Sequence, residues 1–162
     1  MSNVTPNHAS LTGPWNRHHA MDFLTKTVIP LRLATIAPSG WPVIVSLWFL
    51  VEDNMIWCAT HQSAKIIRIL ELNSQCAFEV APDHPPYLGL RSQANVKLFP
   101  GRGADILKRL IDRYQGSRDS ELARWLLSRS EEEVAIAITP VRIQSWDYSS
   151  RMLRVNKKNR EI

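Results

Sequence analysis

The 162-residue chain has only two cysteines, Cys58 and Cys76, and no Cys-x-x-Cys or Cys/His ligand cluster. That leaves no basis for a disulfide scaffold or a zinc finger, and both cysteines, set in apolar stretches, read as free core thiols. Six glycines and ten prolines do not make a low-complexity or collagen-like chain. Long hydrophobic runs are missing. The most apolar stretch, Pro42–Val51, is far shorter than the ~20 residues a membrane helix needs. The first twenty residues lack a secretory apolar core. The expectation is a soluble protein of a reducing, cytoplasmic setting, with no membrane partner. None of the five histidines has a partner at metal-ligand spacing, and His18 and His19, being adjacent, would not face one ion from a helix. No metal is expected.

What is present is ordinary globular composition: 44% hydrophobic and 22% charged residues, in a length that suits one domain. Six tryptophans are many, and they need buried, partly polar places or a flat ligand to cover. The net charge of +5 is unevenly spread: residues 1–81 carry 5 basic and 5 acidic groups, residues 82–162 carry 15 and 10. No Lys/Arg block occurs before Arg151–Arg160, and the paired surface aromatics and continuous basic groove of a nucleic-acid site are missing. An anionic cofactor or metabolite fits the charge as well, and no nucleic-acid partner is expected.

Residues 1–17 are rich in Asn, Thr, Ser and Pro and read as a flexible arm; residues 18–148 read as the domain and residues 149–162 as a basic tail. A short helix is expected over Ala20–Ile29, stopped by Pro30. Leu31–Ala37, Pro42–Val51 and Met55–Thr60 read as strands joined by turns so short that the strands must be antiparallel. Ser63–Leu72 reads as a helix, Gln75–Ala81 and Tyr87–Phe99 as strands. In Ala104–Tyr114, Ile106, Leu107, Leu110, Ile111 and Tyr114 share one helical face, and Gly116 ends the helix. A second short helix follows over Ser120–Leu127. Glu133–Ile138 and Val141–Trp146 close the chain as a strand or strand pair around Pro140. The fold class expected is mainly β (α+β): six antiparallel strands closing into a small barrel, with flanking helices.

Thr60 to Arg68 is the most informative segment. A strand ends at Thr60 and a helix begins near Ser63, with Lys65 in its first turn and Arg68 one turn on. Acidic residues are favoured at a helix start, where free N–H groups leave a positive end. Here none is present. Hydroxyls of Thr60 and Ser63, the N–H groups and Lys65 would hold a phosphate; equally, Ser63 can be an ordinary cap and Lys65 a solvated lysine. His61 adjoins the turn. Ser46 and Trp48 share a face, as do Arg91 and Gln93, and these can meet a ligand, a partner subunit or solvent.

Several segments then resemble, in order, the pyridoxamine 5'-phosphate oxidase-like flavoproteins. Leu33-Ala34-Thr35-Ile36, Ser39-Gly40-Trp41-Pro42 and Val45-Ser46-Leu47-Trp48-Phe49 resemble their opening hairpin; Thr60, Ser63, Lys65, Arg68 and Leu70 their phosphate-side strand-to-helix segment. Asn73–Phe78 resembles the next segment, with Ser74 and Gln75 in place of the usual proline and arginine. Tyr87–Ala94 resembles the following long strand, Ala94 standing where glycine is common, and Ile138–Arg142 with Ser145–Tyr148 the closing strand. The likeness spans about residues 20–148.

The resemblance implies a split barrel, a homodimer with FMN at the interface, and oxidoreductase chemistry between reduced flavin and a small acceptor, with NAD(P)H a candidate reductant. Lys65 and Ser63, with Thr60 and Arg68, would hold the phosphate; Thr35, Val45, Ser46, Leu47 and Trp48 would line the ribityl and ring region; Gln93 and Trp146 would come from the other subunit. No catalytic residue is identified. The chain lacks the arginine-rich ending of the true vitamin-precursor oxidases, so that reaction is not expected. A non-enzymatic flavin- or haem-binding protein and a deazaflavin-dependent reductase are the alternatives.

Overall fold

A computed structural model of the chain describes residues 9–152. Residues 1–8 of the expected arm and 153–162 of the expected tail lie outside the described residues. Leu31–Ile36 (β2) and Pro42–Leu47 (β3) form the opening antiparallel hairpin, in register from Leu31 opposite Leu47 to Ile36 opposite Pro42. β2 alternates as expected: Leu31, Leu33 and Thr35 are buried, while Arg32 and Ile36 face out.

The expected strand over Pro42–Val51 is broken. β3 stops at Leu47, Trp48 and Phe49 turn a corner, and Leu50–Glu52 forms a separate strand, β4. β4 pairs with Met55–His61 (β5) through a tight turn in which Asp53 and Asn54 both have positive φ, 51° and 59°. Such a turn matches the twist of the strands it joins, and Asp and Asn tolerate its left-handed backbone.

Lys65–Leu72 (α2), Gln75–Val80 (β6), Leu88–Phe99 (β7) and Glu133–Asp147 (β8) complete the sheet in the order β3-β2-β6-β7-β8-β5-β4. β3 and β4 lie at opposite ends of that order, yet only two residues separate them in the chain. The sheet must therefore curl until its two ends nearly meet, without a hydrogen-bonded ladder between them. The result is an open barrel. β8 runs straight through Pro140, and the register slips by one between Gln93 and Ala94, leaving Val141 as a bulge. A proline cannot donate to the ladder, and a bulge next to it absorbs the irregularity.

Eight strands are formed, not the six expected among these residues. One extra strand comes from the Trp48–Phe49 break. The other is Ser10–Thr12 (β1), which pairs in parallel with β8 from Ser10 opposite Arg142. The described part of the arm is therefore docked rather than loose. Trp15 is buried, its backbone N–H donates to the Ser145 hydroxyl at 3.1 Å, and its ring stacks on His19 at 4.6 Å. Gly13, at φ 98°, passes so close to the Ser145 backbone that no Cβ would fit.

Arg17–Lys26 (α1) starts three residues earlier than expected because Asn16 caps it, accepting from the His19 N–H at 2.8 Å. Its C-terminal carbonyls are taken by Arg113, which donates to Leu24, Thr25 and Thr27. Arg113 belongs to Gly103–Gln115 (α3), followed by Glu121–Leu127 (α4), capped by Ser120.

Two apolar layers result. Leu31, Leu33, Phe49, Ile56, Leu90, Ile136 and Ile138 fill the barrel together with Ile66, Ile67 and Leu70 of α2. On the other side of β5 and β8, Trp57, Ala135 and Ala137 pack under Ile106 and Leu110 of α3. Both faces of β5 and of the first half of β8 are covered, which explains their near-continuous hydrophobicity. Both cysteines are free and buried; burial pushes the Cys58 thiol far up and that of Cys76 up to about 12, so neither is a thiolate.

Candidate functional site

The corner at Trp48 and the end of β5 form one wall of a cavity of about 340 Å³. Ser46, Leu47, Trp48, Ala59, Thr60 and His61 line it from the barrel. Leu107 and Leu110 of α3, Leu122 and Leu126 of α4, then Arg129 and Glu133, line it from the other side. Trp48 is held flat: it stacks on Tyr114 with ring centroids 5.1 Å apart and planes 9° from parallel. Tyr114 in turn is fixed by its hydroxyl, which donates to the Ile29 carbonyl at 2.9 Å and accepts from the Phe49 N–H at 3.3 Å. Gly103 makes this packing possible, since a Cβ there would run into the Glu133 carbonyl at the start of β8.

At the end of β5 a hydrogen-bonded chain fixes the turn into α2. The Ser63 N–H donates to His61 Nδ1 at 3.1 Å, and the Ser63 hydroxyl lies 2.7 Å from the same nitrogen. Because an N–H can only donate, Nδ1 accepts and Nε2 carries the proton, which goes to Glu132 Oε2 at 2.6 Å. The Gln62 N–H also bonds the Glu132 carbonyl at 2.8 Å. The turn is thus pinned to the segment entering β8.

The helix starts later than the sequence implied. Ala64, not Ser63, is at the N-cap, and no side chain caps α2; no acidic residue lies in its first turn. Lys65 is the first helical residue, and Lys65 and Arg68 are both exposed. The helix end therefore keeps free N–H groups and two unpaired cations among the described residues.

Glu133 has a buried carboxyl, 5% exposed, which burial pushes up despite the opposing charge of Arg129. Arg129 lies over the Trp125 ring at 4.6 Å, and its Nε is buried with no hydrogen-bond partner. Arg129 and Glu133 form no ion pair with each other.

The expected site residues are only partly gathered. Ser46, Leu47, Trp48 and Thr60 share the cavity just described. Ser63 lies on the wall of a second, of about 460 Å³, with Gln62, Ile67, Glu71 and Leu98. Thr35 and Gln93 line a third, also about 460 Å³, on the outer face of β2, β6 and β7. Thr35 is 3% exposed and its hydroxyl donates to the Gln75 carbonyl at 3.1 Å. Val45, Lys65, Arg68 and Trp146 line none of the three. Val45 packs on the barrel core, and Trp146 lies under the Arg91 guanidinium at 5.8 Å. Of the other aromatics on the first strands, Trp57 is core and Trp41 is 75% exposed. Sequence reasoning missed Tyr114 as a support, and Arg129 and Glu133 altogether. Glu133 reads only as the first residue of the closing strand, with nothing local to show that its carboxyl turns inward.

Around the third cavity the outer sheet face carries open apolar side chains, Ile36 at 49% exposed, Ile44 at 68% and Val141 at 47%, among polar ones such as Gln75, Gln93 and Asn95. No group of three His, Cys, Asp or Glu side chains converges as metal ligands among the described residues. No helix among them is long and apolar enough to cross a membrane.

Neither a family model nor a curated protein matches the chain. Solved structures do. A conserved hypothetical protein from Mycobacterium tuberculosis superposes with a TM-score of 0.71 at 21% identity, over 83% of this chain and 86% of that one. An F420 reductase matches with a TM-score of 0.64 at 22% identity, over 75% of this chain and 94% of that one. A Listeria innocua protein named after pyridoxamine 5'-phosphate oxidase matches with a TM-score of 0.54 at 17% identity, over 72% and 86%. The fold is the split barrel of the pyridoxamine 5'-phosphate oxidase-like proteins. In split-barrel terms, the open seam between β3 and β4 is the split, and the Trp48 cavity lies beside it.

Proposed function

We propose that this split barrel is an FMN-binding oxidoreductase that works as a homodimer. One observation carries the reading. The strand that lines the Trp48 cavity, β5, leads within four residues into a helix start with no cap, no acid and a lysine at its first position. A flat, largely apolar recess beside an anion-seeking helix end suits a ring system that carries a phosphate.

The residues present fit that group. Lys65 and the free N–H groups of α2 would take the phosphate, with Arg68 and Ser63 beside them. Ser46, Leu47, Trp48 and Thr60 would seat the ring, and the Trp48–Tyr114 stack supplies a rigid flat wall. The cofactor, when bound, supplies hydride and electron transfer to a small acceptor. The chain's own part is to fix the ring, exclude water with the leucines of α3 and α4, and hold a proton near it on Glu133 or His61.

The open apolar face at Ile36, Ile44 and Val141 supports the dimer, because a two-fold pair would cover it. Gln93 and Trp146, set apart from the Trp48 cavity, would then reach the partner's cofactor. A deazaflavin cofactor is the second reading; the likeness to the F420 reductase favours it.

The test is titration of cofactor-free protein with FMN, coenzyme F420 and haemin, followed by absorbance and calorimetry. One FMN per chain, bound at least tenfold more tightly than F420 or haemin, is expected. Preference for F420 or haemin would replace the cofactor, and no binding of any would remove the reading.

A further inference from the structure

The Trp48 cavity holds a charged side chain, Arg129, that the proposed role does not use. Its lining divides by chemistry: Leu107, Leu110, Leu122 and Leu126 are hydrocarbon, while Arg129 and Glu133 are ionisable. Leaving a guanidinium N–H buried without an acceptor is costly, and here Arg129 Nε has none. The group is held in place by the Trp125 ring rather than by a carboxylate. The nearest acid across the cavity, Glu133, does not pair with it.

We propose that Arg129 is a positioning and tuning residue that faces the polar edge of the bound flavin ring and favours its reduced form. This rests on the ring occupying the Trp48 cavity. The chemistry is general. The isoalloxazine ring has a hydrocarbon edge and an edge of carbonyl and ring-nitrogen acceptors. Leucines suit the first and a guanidinium the second. Reduction adds negative charge to the polar edge, and a cation fixed beside that edge stabilises the charge more than it stabilises the oxidised ring. Glu133 works against it. Arg129 and Glu133 form no ion pair, so most of the Arg129 charge is left for the ring.

The two residues therefore predict shifts of opposite sign. In FMN-loaded protein, Arg129→Gln should weaken the preference for reduced over oxidised cofactor about tenfold, a midpoint about 30 mV lower for the two-electron couple. Arg129→Lys should retain most of the wild-type value, because the charge survives. Glu133→Gln should leave the midpoint unchanged or raise it. The readout is a spectroscopic redox titration against a reference dye, with a thermal melt of each variant. Should Arg129→Gln fail to fold, Arg129→Met, which also removes the charge and keeps most of the side-chain length, takes its place with the same expected drop. Unchanged midpoints throughout, equal shifts for the Gln and Lys variants, or a lowered midpoint for Glu133→Gln would overturn the assignment. Failure of the wild type to bind FMN would instead overturn the cofactor reading, and this inference with it.

Discussion

Replacing Lys65 with alanine isolates the phosphate from the rest of the cofactor. Lys65 is the first residue of α2 and is exposed, and Ala64 at the N-cap offers no side-chain bond. The substitution removes one ammonium but leaves the backbone N–H groups of the helix end, which are the other half of the anion site. A charge-assisted hydrogen bond is worth about 1.5–3 kcal/mol, and exposure to solvent puts this one at the lower end. About 1.5 kcal/mol corresponds to about tenfold in affinity. Alanine is a good helix former, so the fold should not suffer. FMN should therefore bind about tenfold more weakly to Lys65→Ala, and riboflavin, which has no phosphate, should bind as before. Raising the salt concentration should narrow the FMN difference, because an exposed charge pair is screened. Calorimetric titration of both ligands against both proteins gives the comparison. Equal weakening toward FMN and riboflavin would place Lys65 near the ring or in the fold. No change toward either would make it a solvated surface lysine, and the phosphate site would have to lie elsewhere.

Three further outcomes follow from the packing. Trp15→Ala should cost about 3–5 kcal/mol in urea unfolding, because the buried ring that packs on His19 and Phe23 is lost while the backbone bond to Ser145 survives; a cost below about 1 kcal/mol would show that the arm is not docked in solution. Glu133→Gln should stabilise the protein at neutral pH. The folded protein raises this carboxyl above its unfolded value, so native Glu133 costs nothing below that value, near pH 4, and increasingly destabilises as pH rises; the two melting curves should converge in acid, and a constant offset would contradict the burial argument. Ile44→Asp combined with Val141→Asp should give monomers in sedimentation at micromolar concentration, since a charge on the open sheet face opposes its burial. An undisturbed dimer would move the interface to another surface.

Local patterns in the sequence carry much of this molecule. The alternation of Leu31, Leu33 and Thr35 shows the inward face of β2, and the spacing of Ile106, Leu107, Leu110 and Ile111 shows the buried face of α3. Asp53-Asn54 marks its turn and Gly116 its helix end, where φ is 66°. Each such signal involves neighbours one to four residues apart, whose side chains meet through the backbone period alone. Thr60 and Lys65 are adjacent enough to be read as one strand-to-helix unit in the same way.

Other features depend on partners far along the chain. Pro42–Val51 has the composition of one strand, and it breaks at Trp48 because Phe49 enters the barrel while Trp48 stacks on Tyr114 of α3. Ser10–Thr12 is polar and unremarkable until the second half of β8 offers it an edge. Arg129 and Glu133 look like solvated charges in a run of polar residues. They face Ser46 and Thr60 only because the sheet order returns β3 to the side of β5 and lays α3 and α4 over the seam. Periodicity shows most of the strands and helices and their apolar faces, because it needs only near neighbours. Which polar groups share a cavity is set by the closure of the barrel, a contact between strands that no local pattern records.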